Sequence, residues 1–423
     1  MLLGWFENPT PVRLSNKQPD SGCCVGRSDF VAMLTVNDAP LLCSIANRWS
    51  GASGAIRENS VGGKMENLMG LNSTAKDGES VAIGTTAWVQ EVGQRMERLP
   101  RETMGSTADL PVVLPLESAL LKKRYPVVES RENLSSTNFF SDFVVKNRPV
   151  VVPKALKHCR ALSCWTDDYL REVVGSRTVI LKQGLNEEGV TGLKTITSQL
   201  SDYLDCMALF ETRLQRNEVL AKDRPPYLHD LPLLSVLPDA ADDLDGFPSD
   251  YFPDWYRADW LKFAQFFLGP SQSLTPLHFD CLLTHNLFFQ VRGRKRFILL
   301  HHDQLPFCYR YKWRWCEVDA ETPDFIRHPL YRDAQIQECI VEPGDMLYMP
   351  SGMLHHVRSL DCSMSFNVDW HTRGSAFQGV LALKRGMPLK NVYYNAVIAL
   401  GQCTGQPARR VLPWYRSYLN YVS

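Results

Sequence analysis

The sequence has no excess of charge of either sign: Lys and Arg total 46 and Asp and Glu total 46 in 423 residues. No overall field therefore draws the chain to nucleic acid or to an anionic membrane, and any basic binding surface has to be local. The chain also lacks an unbroken apolar run of about 18 residues, the length a membrane-spanning helix needs. The apolar part of the opening MLLGWFENP is too short for a secretory signal. Among the twelve cysteines there is no Cys-x-x-Cys pair and no dense spacing, so no disulfide framework is expected and the thiols read as free, in a reducing compartment. These absences together predict a soluble intracellular protein of the cytoplasm or nucleus with no membrane partner.

What is present changes in texture along the chain. Residues 1–118 mix Gly, Ser, Asn and charge with short apolar islands such as FVAML and PVVLPL. They sustain neither a helical nor a strand period, and no role follows for them. Further on, NFFSDFVVKNRPVVVPKAL pairs a helix with a β-branched run bounded by prolines, and CWTDDYLREVVGSRTVILKQG repeats the pattern with Thr166 as helix N-cap and RTVILK as strand. Strands then dominate in WLKFAQFFLG, HNLFFQVRG, KRFILLH, QECIVEPGD, DMLYMP and SMSFNVDW, punctuated by Gly269-Pro270, Gly293 and Pro343-Gly344-Asp345. Many short strands with tight turns predict a mainly β fold, an antiparallel jelly-roll barrel with flanking helices. Near the C-terminus, LKNVYYNAVIALG places Val392, Ala396 and Ala399 on one helical stripe with Gly401 at its end, and WYRSYLNYV places Trp414, Tyr418 and Val422 four apart.

Within the strands, TPLHFD stands out. On a strand, positions two apart share a face, so His278 and Asp280 project together and form half a metal site. The segment GDMLYMPSGMLHHV follows a Gly-Asp turn with a strand, an interrupting Pro350 and two histidines. In a barrel one of these imidazoles returns to the interior beside His278 and Asp280. Two imidazoles and one carboxylate on one face of a metal leave coordination positions open, as in non-haem Fe(II) oxygenases. Zinc accepts the same donors, so ligand type alone leaves the metal open.

Taken in order, LTPLHFD, NLFFQVRGRKRFILL, VDAETPDFIRHPLY, CIVEPGDMLYMPSGMLHHV and SFNVDW resemble the JmjC (cupin-like) 2-oxoglutarate oxygenases. The nearest branch in pattern contains the asparaginyl hydroxylase that inhibits hypoxia-inducible factor, and a tRNA wybutosine hydroxylase belongs to the same wider family. The likeness covers roughly residues 124–372. It implies a double-stranded β-helix, with a JmjC domain over 119–374 and a C-terminal helical segment over 375–423. It further implies Fe(II) held by His278, Asp280 and His355, the last because the family's ligand lies five residues beyond the strand proline, here Pro350. The 2-oxoglutarate would meet Lys295, two residues after the hairpin glycine, with Thr275 and Tyr227 assisting and Asn286 and Asn367 nearby. One spacing departs from the pattern, since more residues separate Asp280 from Asn286 than in that branch. The activity implied is hydroxylation of an unactivated C–H bond, with succinate and CO2 as co-products. Relatives dimerise through C-terminal elements, so a homodimer through these helices is expected.

The physical logic stands beside the resemblance. A dicarboxylate buried in an apolar barrel needs its far charge compensated, and an ammonium with two hydroxyls supplies charge-assisted hydrogen bonds. Ordinary readings exist for each residue: a core histidine, a solvated hairpin lysine in RGRKR, a packed tyrosine. His356 would face the other way from His355; His285, His301 and His302 read as structural, and Cys281 as a small buried side chain. The stretch YRYKWRW, residues 309–315, alternates aromatic and basic residues. As one strand it would show an aromatic face and a cationic face suited to single-stranded nucleic acid, with Tyr309, Arg310, Trp313 and Arg314 as substrate contacts; an edge strand that exposes its charges is the ordinary reading. The neutral overall charge favours a protein substrate over tRNA. The alternatives are a tRNA-nucleoside hydroxylase, an N-methyl-lysine demethylase, and a binding module with turnover lost, against which the complete triad and lysine argue.

Overall fold

A computed structural model describes residues 125–183, 194–216, 218–219 and 223–419. The region 1–118, for which the sequence suggested no role, lies outside them, as does the Val422 of the last stripe. The first strands are β1 (Val150–Val152), the pair β2 (Thr178–Gln183) and β3 (Lys194–Gln199), and β4 (Leu228–Pro232). Then come β5 (Ala264–Gly269), β6 (Leu274–His278), β7 (His285–Arg292) and β8 (Lys295–Leu300). A short hairpin, β9 (Arg310–Tyr311) and β10 (Trp315–Cys316), precedes β11 (Ile336–Val341), β12 (Met346–Met349), β13 (Leu354–Ser359) and β14 (Ser363–Trp370). They form two six-stranded sheets, in the orders β1-β12-β7-β14-β5-β4 and β11-β8-β13-β6-β10-β9, with β2-β3 as a separate ribbon. Every pairing of named strands is antiparallel. This is the mainly β jelly-roll with flanking helices that the strand spacing predicts.

Alternation builds the barrel. In β14 the polar Ser365, Asn367 and Asp369 face one side while Met364, Phe366, Val368 and Trp370 enter the main hydrophobic core on the other. That apolar face is covered by helices, so the strand is buried on both faces. The β7–β8 turn carries Gly293 at φ 70°, where an added Cβ would lie 2.4 Å from the Cys362 carbonyl oxygen, so only glycine fits the turn. In the turn before β12, the Asp345 carboxylate accepts from the backbone N–H of Lys154 and of Glu342.

Helix α1 (Asp167–Val174) begins as its sequence indicates, with the Thr166 hydroxyl accepting from Tyr169 N at 3.2 Å. Helix α2 (Leu200–Gln215) packs beside it, and α3 (Arg373–Leu381), α4 (Leu389–Cys403) and α5 (Ala408–Leu419) follow the barrel. No helix among the described residues is long and apolar enough to cross a membrane.

Two local expectations need correction. WLKF of the predicted WLKFAQFFLG strand is a 3-10 turn, Trp260–Phe263, and the strand begins at Ala264. On α4 the buried face is Asn391, Tyr394, Asn395, Ile398, Gly401 and Gln402, and the stripe Val392, Ala396, Ala399 is only half-buried. Gly401 lies inside the helix and not at its end, because a Cβ there would lie 2.6 Å from Val411 of α5 and 3.2 Å from Trp255. On α5 the inward residues are Ala408, Val411 and Tyr415, in the same core cluster as Tyr394 and Ile398. These helices therefore bury apolar area within their own chain.

Candidate metal and co-substrate site

His278 ends β6, His355 lies in β13, and the two are direct cross-strand partners. Their ring centroids are 4.2 Å apart, and the Nε2 of His355 is 3.8 Å from Asp280 Oδ1. One donor atom from each of His278, Asp280 and His355 lies within 4.8 Å of the others. Both rings are anchored behind. Nδ1 of His278 faces the Pro276 carbonyl at 2.8 Å and Nδ1 of His355 faces the Met353 carbonyl at 3.0 Å. A carbonyl only accepts, so both Nδ1 atoms carry the proton and both Nε2 lone pairs are available for a metal. Burial, and then the neighbouring His355 and Arg314, hold the His278 ring well below the ordinary imidazole range, so it is neutral, as a ligand must be. Asn286 Nδ2 donates to Asp280 Oδ2 at 3.2 Å, which leaves Oδ1 toward the imidazoles. This donor set fits one divalent ion, with the three protein ligands on one side.

Strand parity alone would point Thr275 and His278 to opposite faces. A β-bulge between these two positions resolves this, because His278 pairs with His355 while Thr275 pairs with Val357. The extra residue resets the alternation, and both side chains line one cavity. Pro276, which cannot donate to a ladder, sits within the bulge.

At the far side of that cavity Lys295, the first residue of β8, is 1% exposed. Its Nζ donates to Tyr227 Oη and to Ser365 Oγ, each at 2.8 Å. The rings of Tyr227, Phe267 and Phe288 lie 5.2–5.5 Å from the ammonium. Both hydrogen-bond partners are uncharged, and burial pushes the lysine down to about 7. An ammonium in this setting is incompletely compensated, and a carboxylate at its open side would restore the balance. The Lys295, Tyr227 and Thr275 cluster thus fits the far carboxylate of 2-oxoglutarate.

The opposite wall comes from β7 and β14. Asn286 Nδ2 also donates to Asp369 Oδ1 at 2.9 Å, and Asn367 stands 3.5 Å from the same oxygen. Asp369 is buried and its carboxyl is held well above the usual range, by burial first and then by the charges of Asp280 and Asp230. The lengthened Asp280–Asn286 spacing therefore does not displace Asn286, since the added residues form a turn between β6 and β7. Ser365, Asp369 and His229 escaped the sequence reading. The signal was available, for Ser365 and Asp369 flank Asn367 at a spacing of two and His229 follows Tyr227 at the same spacing.

The 309–315 strip is not one strand. Tyr309 and Lys312 both adopt φ 52°, which folds the segment into the β9–β10 hairpin and breaks the alternation. Tyr309 Oη accepts from Leu330 N and its ring meets His328 edge-on. Arg310 lies over the Trp313 ring, and Trp313 Nε1 donates to the Cys281 carbonyl. Arg314 alone of these lines the cavity, stacked on Trp315 at 4.4 Å, and Trp315 in turn stacks on His278. The continuous aromatic and cationic faces expected of this strip are absent. His356 faces away from the cavity, 3.5 Å from Glu321. His285 stacks on Trp370, and His302 bonds the Gly352 carbonyl. Cys281 is buried in the core, and the described cysteines are free.

The pattern of the cupin-like domain family matches residues 136–376. The lysine-specific demethylase JMJ30 of Arabidopsis thaliana is 29% identical over 265 residues, which cover 61% of this chain and 57% of that protein. The human bifunctional peptidase and (3S)-lysyl hydroxylase JMJD7 is 29% identical, over 54% of this chain and 79% of its own length. The tRNA wybutosine-synthesizing protein 5 of Gallus gallus is 24% identical, over 57% and 76% respectively. The chain spans a little over half the length of the lysine-specific demethylases it matches.

Proposed function

The chain belongs to the cupin-like domain family, and from that premise we propose that it is an Fe(II)- and 2-oxoglutarate-dependent dioxygenase that hydroxylates a side chain of a protein substrate. The observation that carries this reading is the convergence of His278, Asp280 and His355 with the buried Lys295 on one cavity. When bound, ferrous iron and 2-oxoglutarate would activate dioxygen as the oxidant, one oxygen atom going to the substrate C–H bond and the other to succinate, with release of CO2.

The chain's own residues do the positioning. The Pro276 and Met353 carbonyls hold the two imidazoles in the tautomer that presents Nε2. Asn286 occupies one oxygen of Asp280 and so directs the other. Lys295 and Tyr227 take the far carboxylate, and the apolar rings around them exclude water from that end. Arg314 and Asp230 line the same cavity with charges of opposite sign, available to orient the substrate group. A second reading, a hydroxylase of a modified tRNA nucleoside or an N-methyl-lysine demethylase, draws on relatives named for those acts. The folding of residues 309–315 into a hairpin takes away the local feature that had favoured RNA.

Anaerobic titration of the protein with Fe(II) and 2-oxoglutarate is expected to produce the weak visible charge-transfer band of a bound keto acid. A colourless protein holding stoichiometric zinc would overturn the oxygenase reading. Mass spectrometry of proteins and of tRNA from cells with and without the gene separates the two substrate classes by where a one-oxygen mass gain is lost.

A further inference from the structure

A second buried lysine stands behind the co-substrate end of the cavity. Lys182 of β2 is 2% exposed, and its Nζ lies 3.1 Å from Nδ1 of His229. The other nitrogen of that ring, Nε2, lies 3.2 Å from the Thr275 hydroxyl. His229 is itself 9% exposed and lines the cavity beside Tyr227. The backbones of Lys182 and Tyr227 exchange both hydrogen bonds, at 2.8 and 2.9 Å, so the lysine is fixed against the segment directly before β4, two residues from His229.

The chemistry of the donors sets one direction along this row. Burial lowers Lys182 to about 8, with Asp230 opposing, so at neutral pH and below it is an ammonium, which has donors only, and Nδ1 of His229 accepts. A neutral imidazole then has its proton on Nε2, which donates to Thr275 Oγ1. With its oxygen accepting from His229, the Thr275 hydroxyl turns its own proton away from the ring, toward the cavity. We propose that Lys182 and His229 are positioning residues that hold the Thr275 hydroxyl as a donor toward the far carboxylate of 2-oxoglutarate, beside Lys295 and Tyr227. The proposal rests on the co-substrate reading above and adds two residues to it.

The test is calorimetric, on the full chain with Mn(II) in place of iron and 2-oxoglutarate as the titrant. His229→Leu removes both the acceptor and the donor and is expected to weaken 2-oxoglutarate binding about 10-fold, the size of one lost hydrogen bond to a charged group. His229→Gln can accept from Lys182 with its oxygen and donate to Thr275 with its nitrogen, so it is expected to bind within about 3-fold of the wild type on the same scale. Thr275→Val is expected to match His229→Leu, and the double variant to be no weaker than Thr275→Val alone, because the histidine acts through the threonine. Lys182→Met, which leaves the imidazole in place, carries the same expected weakening should His229→Leu fail to fold. Equal affinities for the wild type and both the His229→Leu and Lys182→Met variants would overturn the relay, as would losses that add in the double variant. A wild type that binds Mn(II) but no 2-oxoglutarate would instead overturn the reading on which the relay rests.

Discussion

The two sheets of the barrel meet at the cavity with different chemistry. The sheet of β6, β8, β10 and β13 brings the imidazoles of His278 and His355, the ammonium of Lys295 and the guanidinium of Arg314, with Asp280 two residues beyond the end of β6. The sheet of β4, β5, β7 and β14 brings amides and an acid to the cavity, Asn286, Asn367 and Asp369, and the Ser365 hydroxyl to Lys295. The first sheet supplies the groups that would touch a metal and the ammonium for the co-substrate. The second mainly holds them in place, since Asn286 bonds Asp280 and Ser365 accepts from Lys295, while Tyr227, directly before β4, joins Lys295 at the co-substrate end.

The sharpest test of this division is Asp280→Ala on the first sheet's side. It is expected to abolish Fe(II) binding and succinate formation together, measured by metal analysis and by succinate release; undiminished turnover would end the assignment. Lys295→Ala should leave metal binding intact while raising the 2-oxoglutarate requirement by about 10- to 100-fold, from a lost charge-assisted contact of about 1.5–3 kcal/mol. No change would place Lys295 outside the co-substrate site. Asn286→Ala, on the supporting sheet, should weaken metal affinity by about tenfold, the low end for a partner that orients a ligand. A loss as complete as that of Asp280→Ala would make Asn286 a direct participant and blur the division between the sheets.

The smallest expected effect is a proton. Burial lowers Lys295 to about 7 in the unliganded protein, so at pH 8 it is mostly neutral. A carboxylate placed against it favours the charged form and raises its pKa. Binding of 2-oxoglutarate should then take up a proton at pH 8 and almost none at pH 6, where the lysine is already charged. Calorimetry in buffers of different ionisation enthalpy measures this directly, and proton release at pH 8 would contradict it.

Much of the site was legible because its residues follow strand periodicity from recognisable turns. His278 and Asp280 share a face by a spacing of two, whereas Lys295, by itself a solvated hairpin charge, was indicated only by the family resemblance. The rest depended on backbone irregularity. Thr275 joins His278 only because of a bulge, and YRYKWRW loses its alternation because two non-glycine residues adopt positive φ. The C-terminal stripe misled because helical spacing identifies a set of residues on one side without saying which side faces the core. On α4 the face with two asparagines and a glutamine packs inward, where Asn395 Nδ2 bonds the Asn391 carbonyl and Gln402 Nε2 the His371 carbonyl.

The order of residue types along the chain was enough to determine half of the donor set, His278 and Asp280, and the mainly β antiparallel fold, since these follow from local periodicity and from turns that only certain residues adopt, while His355 and the family followed from the resemblance of the ordered motifs. Which distant side chains share a hydrogen bond was decided by tertiary structure alone. Lys182, His229 and Thr275 lie on three separate strands, and no local rule couples their registers. Only closure of the barrel, with the β2–β3 ribbon packed on β4, brings them within reach of one another, and only their burial makes each unsatisfied donor or acceptor costly enough to fix the contact.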